Sequence, residues 1–163
     1  KSKSLICFVG APWTLLIYML GLRKNKNELN LEKLNQSNLI IEQILETLIK
    51  YSCTHIKNQI NAGADVVQIF DSWAGLLPIQ NIKDYCYIPN LKLVDFCKKE
   101  KIPNICFPKG VGYKYEEFNQ IVKPDGLNLD YEIDPLWAKT KLKNVLNQVT
   151  KISRKFSIRG NYS

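Results

Sequence analysis

Four short, near-continuously apolar runs constrain this chain more than any other feature: residues 4–10, 64–70, 104–108 and 125–130, each bounded by turn-forming residues. A strand with one face in water alternates apolar and polar side chains, whereas a strand of a parallel sheet covered on both faces reads as an unbroken apolar run. These runs are of the second kind. A weaker fifth candidate spans residues 155–160.

Between the runs the spacing turns helical. Leu34, Ile41, Ile44, Leu45, Leu48, Ser52, Ile56 and Ile60 recur every three to four residues and Gly63 follows as a stop, which predicts one long amphipathic helix. Further helices are predicted over 79–99, bent near Pro89, over 115–122, and from Pro135 to about Gln148 with Asp134 as the cap. No hairpin signal interrupts the alternation, so it implies βαβ units joined by right-handed crossovers. A doubly wound sheet and a stretch of (β/α) barrel both satisfy it. A closed eight-stranded barrel takes about 250 residues, and this chain has 163, so only part of one would fit. No linker, repeat or low-complexity tract divides the chain, and residues 1–163 are expected to form a single domain.

Charge and composition then remove classes of function. The formal net charge of +8 raises nucleic acid as a partner. The charge is mostly dispersed lysine, however, and only Arg23, Arg154 and Arg159 offer the planar fork that phosphate and base recognition favour, so no nucleic-acid partner is expected. The longest apolar run, residues 15–22, is far short of the ~20 residues of a transmembrane helix, and no signal-peptide pattern opens the chain. A cytoplasmic protein with no membrane partner is expected. Cys7, Cys53, Cys86, Cys97 and Cys106 are scattered without a C-x-x-C pair, which fits free core thiols in a reducing compartment, and His55 is the only imidazole, so no metal site is expected.

In either architecture ligands meet the carboxyl ends of the strands. The residues there are 10–18, 71–77, 109–113, and Asp130 with Tyr131. Gly110-Val-Gly112 lacks the remaining residues of a dinucleotide or P-loop fingerprint and reads as a tight turn. Ser72 has no G-x-S-x-G elbow around it, and His55 precedes it on the back of a crossover helix, which argues against a catalytic triad. Asp71, Ser72 and Tyr18 are expected to converge over one mouth as a small-molecule site; the alternative is that Asp71 only caps its loop.

Two longer stretches are specific. Phe8-Val-Gly-Ala-Pro-Trp-Thr-Leu-Leu-Ile-Tyr-Met19 and Ala62-Gly-Ala-Asp-Val-Val-Gln-Ile-Phe-Asp-Ser-Trp-Ala-Gly-Leu-Leu77, in this order and separation, closely resemble the uroporphyrinogen decarboxylase family. The likeness continues through Phe107-Pro-Lys-Gly110 and Gly126-Leu-Asn-Leu-Asp130 and covers nearly all of residues 4–142. It implies an α/β fold, a (β/α)8 TIM barrel, here partial with about five parallel strands. It also implies a homodimeric carboxy-lyase that removes CO2 from the four acetate side chains of uroporphyrinogen III, giving coproporphyrinogen III with no cofactor. By motif, Tyr18 matches a tyrosine whose hydroxyl reaches a substrate carboxylate, Ser72 matches the small hydroxyl residue on the substrate's acidic arm, and Phe70 corresponds to an aromatic residue lining the cleft.

The sequence departs from the family at three places. Its amino-terminal Arg-Gln-Ala-Gly-Arg loop, the early aspartate that binds the pyrrole N–H groups and the histidine of its Asn-Leu-Gly-His-Gly segment have no counterpart here, and Asp71 and Asp130 do not match that aspartate by motif. No catalytic residue is therefore assigned. The expectation is a fragment, truncated at both ends, with its porphyrinogen-binding hydroxyls present and no decarboxylase activity of its own. Two other readings share the fold: a non-catalytic remnant or binding module, and a corrinoid-linked methyltransferase relative, whose His/Cys zinc site the lone His55 and unpaired cysteines do not supply.

Overall fold

A computed structural model describes residues 3–25, 28–30, 32, 38–143 and 145. Strand β1 (Ile6–Gly10) leads into helix α1 (Pro12–Met19), a small hairpin of β2 (Arg23–Asn25) and β3 (Glu28–Leu29), and the long helix α2 (Asn38–Asn61). There follow β4 (Val66–Asp71), α3 (Ile88–Lys99), β5 (Asn104–Pro108), α4 (Tyr115–Val122), β6 (Gly126–Leu127) and α5 (Pro135–Lys141).

The four long-range strands form one parallel sheet in the order β1-β4-β5-β6. That order decides between the two architectures. A doubly wound sheet reverses its strand order at a switch point and carries helices on both faces, whereas a barrel adds strands in chain order and keeps the helices on one side. Here the order never reverses, and α1 packs on α2, α2 on α3 and α3 on α4 in a single layer. The sheet is an arc of a (β/α) barrel. Four parallel strands are present among the described residues where about five were expected; the fifth candidate, 155–160, lies outside them.

Register sorts the strand residues onto two faces. Cys7, Val9, Val67, Ile69 and Cys106 face the helices and are buried. The other face carries Phe8, Phe70 and Phe107, whose rings meet edge to face with centroids 6.2 and 6.4 Å apart, and Phe8 is 65% exposed. At the amino ends of the strands, carboxylates tie the ladder down: Asp65 accepts from the Leu5 N–H, and Asp125 accepts from both the backbone and the side-chain amide of Asn104.

Two local features differ from the sequence expectation. The hairpin β2–β3 carries no Asn-Gly or Asp-Gly signal; it pairs Arg23 with Leu29 and is held by Glu28, which accepts from Lys24 and Asn25, over buried Leu22 and Leu29. The 79–99 stretch is helical throughout, as expected, but its disturbance near Pro89 is a change of winding along the stretch rather than a simple bend. A 3-10 turn (Ile79–Asn81) and a π turn (Lys83–Tyr87) precede α3, and Pro89 sits at the start of α3, where its missing N–H is no loss. The distortion falls before the proline because its ring would clash with a regular helical carbonyl four residues earlier. Helix α5 begins as read, with the Leu136 N–H donating to Asp134 at 2.9 Å; residues 146–150, where its predicted end falls, lie outside the described residues. No helix among the described residues is long and apolar enough to cross a membrane.

Candidate functional site

Local geometry at the carboxyl ends of β1, β4 and β5 builds a cleft of ≈ 470 Å³ whose lining includes Tyr18, Arg23, Ser72, Trp73 and Lys109. Tyr18 comes from the last turn of α1. Trp13, Leu16 and Ile17 are buried beneath that helix, which leaves Tyr18 exposed on its other side. Ser72 follows the last residue of β4 and is exposed. The chain then turns so that the Trp73 carbonyl accepts from the Trp13 indole N–H at 3.1 Å. The Trp73 ring meets Tyr18 edge to face with centroids 6.1 Å apart, and the Arg23 guanidinium carbon lies 5.4 Å from the Trp73 ring centroid.

The far wall is the turn after β5. The Lys109 N–H donates to the Asp71 carbonyl at 3.1 Å, and its own carbonyl accepts from the Gly75 N–H at 2.9 Å. This close approach of two loops requires glycine, because a Cβ on Gly75 would stand 2.3 Å from the Gly110 carbonyl oxygen. Gly110 and Gly112 have φ of 80° and 58°, as the tight-turn reading expects. Asp130 locks the turn by accepting from the Gly110 N–H at 2.7 Å and the Tyr115 hydroxyl at 3.1 Å. Burial, and then the nearby Asp130 carboxylate, push the Tyr115 phenol well above its ordinary range.

Tyr18 and Ser72 line one cleft. Asp71 does not join them. It shares the helix-facing side of β4 with Val67 and Ile69 and is completely buried. One of its oxygens accepts from the Thr14 hydroxyl at 2.8 Å and the other from the Asn90 amide at 2.9 Å, so its role is to tie α1 and α3 to β4. Burial pushes its carboxyl up to about 6, with the hydrogen bonds from Thr14, Cys86 and Asn90 working the other way. Phe70 stands in the aromatic row of the open sheet face and is not among the residues that line the cleft.

Two residues of the cleft escape the strand-end rule or pass through it unweighed. Arg23 lies on the hairpin that carries no turn signal, and Lys109 lies inside the Phe107-Pro-Lys-Gly110 stretch at a strand end, where no role was assigned to it. Together they give the cleft two cations and two hydroxyls, and among the described residues no carboxylate lines it. That donor set is suited to receiving anions. His55 is exposed on α2, the five cysteines are free, and no group of three or more His, Cys, Asp or Glu side chains placed to hold a metal occurs among the described residues.

Comparison with known proteins gives one consistent answer. The family model described as uroporphyrinogen decarboxylase (URO-D) matches residues 1–163. A curated protein named uroporphyrinogen decarboxylase from Orientia tsutsugamushi (strain Ikeda) is 43% identical over 153 residues, covering 91% of this chain and 44% of its own length. One of the same name from Rickettsia bellii (strain RML369-C) is 38% identical over 154 residues, covering 92% of this chain and 44% of its own, and one from Jannaschia sp. (strain CCS1) is 32% identical over 146 residues, covering 88% and 43%. The chain spans less than half the length of these relatives.

Proposed function

The chain belongs to the uroporphyrinogen decarboxylase family, and we propose that it supplies the carboxylate-receiving wall of an enzyme converting uroporphyrinogen III to coproporphyrinogen III with release of four CO2. Tyr18 and Ser72 donate their hydroxyls to side-chain carboxylates of the porphyrinogen, and Phe70 lies against the macrocycle on the open face of the sheet. The observation that carries this reading is the meeting of Tyr18 and Ser72, from the ends of α1 and β4, in one cleft without a competing carboxylate among the described residues. Hydrogen bonds to a charged acceptor are worth about 1.5–3 kcal/mol each, enough for two hydroxyls to fix which side chain of the substrate enters.

Loss of CO2 leaves an electron pair on carbon. In the proposed reaction the protonated pyrrole ring accepts that pair, so the protein's task is to hold carboxylates and place charge, without a cofactor. Placing that charge takes an acid beside the ring. Neither strand-end aspartate is available for it: Asp71 is buried on the opposite side of the sheet and Asp130 is engaged by Gly110 and Tyr115. The polypeptide of residues 1–163 is accordingly proposed to bind porphyrinogen without turning it over. Anaerobic incubation with uroporphyrinogen, followed by separation of products by carboxyl number, is expected to give no product above the non-enzymatic rate. Turnover above that rate would overturn the proposal.

A further inference from the structure

We propose that Arg23 and Lys109 form a cation pair in this cleft that takes two neighbouring side-chain carboxylates of one tetrapyrrole, and so selects for the more highly carboxylated substrate. The inference rests on the reading of the cleft as the carboxylate-receiving wall and adds to it the groups that carry the charge.

The Arg23 side chain and the backbone of Lys109 are each held by something other than a counter-ion. Arg23 leans over the Trp73 ring, 5.4 Å from the guanidinium carbon to the centroid. A guanidinium held by a ring through a cation–π contact keeps N–H donors with which to meet a planar, bidentate acceptor such as a carboxylate. The Trp73 platform is itself fixed, buried between Tyr18 and the Trp13 indole that donates to its carbonyl. Lys109 is set by its backbone, which is bonded to Asp71 on one side and Gly75 on the other, with Asp130 bracing Gly110 next to it. Among the described residues neither cation has an acidic partner within ion-pair distance, whereas the adjacent Lys24 pairs with Glu28. Two cations that line one cleft, neither with an acidic partner among the described residues, make the potential there positive, and an anionic ligand is drawn to it. A ligand with two carboxylates on one ring is drawn twice over. Uroporphyrin, with an acetate and a propionate on every pyrrole, meets this requirement, and coproporphyrin, with propionates alone, meets it by half.

The test is a fluorescence titration of uroporphyrin and coproporphyrin against the 163-residue polypeptide and its Arg23→Gln, Lys109→Gln and Lys50→Gln variants, at several salt concentrations, Lys50 being a lysine of α2 outside the cleft. All three positions are exposed, so the variants are expected to keep the parent's circular dichroism. The wild-type chain is expected to prefer uroporphyrin. Arg23→Gln and Lys109→Gln should each weaken uroporphyrin binding about tenfold, narrow the preference and flatten the salt dependence, with Lys50→Gln unchanged. Equal losses in all three variants would reduce the effect to general surface charge and overturn the assignment. Unchanged binding in Arg23→Gln and Lys109→Gln, with a loss in Tyr18→Phe, would overturn it while leaving the hydroxyl reading intact. Absence of saturable binding by the wild-type chain would overturn both.

Discussion

Replacing Asp71 with asparagine should stabilise the chain at neutral pH and do progressively less as the pH falls. Asp71 is fully buried, and its two oxygens accept from the Thr14 hydroxyl and the Asn90 amide, neither of which is charged. Burial therefore raises its carboxyl from an ordinary value of 3.8 to about 6 in the folded chain. The sign follows from linkage. Between pH 4 and 6 the folded chain holds a proton that the unfolded chain has released, so stability from this group is greatest at low pH, falls as pH rises through that window, and is level above it. Two pH units correspond to a total of about 3 kcal/mol, of which about 2 kcal/mol falls between pH 4.5 and 7.5. An asparagine at the same place can accept from Asn90 with its oxygen and donate to the Thr14 hydroxyl with its amide, keeping both bonds without the charge. Urea denaturation of both proteins from pH 4.5 to 7.5, followed by far-ultraviolet circular dichroism, should show the variant's advantage growing by about 2 kcal/mol with rising pH. A difference independent of pH, or one that shrinks as pH rises, would show that the ionised carboxylate is welcome where it sits and would refute the argument from burial.

Other perturbations follow from the same packing. Gly75→Ala drives a Cβ to 2.3 Å from the Gly110 carbonyl oxygen, and should cost at least about 2 kcal/mol in chemical denaturation; an unchanged midpoint would mean the two loops do not touch. Ile69→Ala, on the buried helix-facing side of β4, should cost about 2–5 kcal/mol, whereas Phe8→Ala on the open face should cost under about 1 kcal/mol. Equal costs would contradict the assignment of the two sheet faces. Asp134→Ala removes the cap that accepts from the Leu136 N–H, and should lower stability by about 1 kcal/mol with a small loss of helical signal.

Strand existence was legible because burial on a parallel sheet leaves a run of apolar residues with little ambiguity: the 104–108 run is β5, and the 64–70 run overlaps β4 through Phe70. The order of the strands was not. A doubly wound sheet and a barrel arc demand the same local pattern, and only the strand order separates them. Asp71 shows a signal that was present and outweighed by its position at a strand end, since it shares parity with Val67 and Ile69 and so belongs to the helix side. Arg23 had no such signal. Its hairpin pairs few residues, lacks turn glycines and is held by charged side chains, so no periodicity announces it. The cleft was half readable for that reason: Tyr18 and Ser72 sit inside long motifs, and Lys109 inside a short one that assigns it no role, while Arg23 comes from short-range structure.

The central claim is that Tyr18 and Ser72 receive porphyrinogen carboxylates in one cleft. It is tested most directly by titrating uroporphyrin fluorescence with the 163-residue polypeptide and with its Tyr18→Phe/Ser72→Ala double variant. Saturable binding is expected of the wild-type chain, and a curve weaker by at least roughly a hundredfold of the double variant, as two hydrogen bonds to a charged acceptor require. Superimposable curves from the two proteins would contradict it.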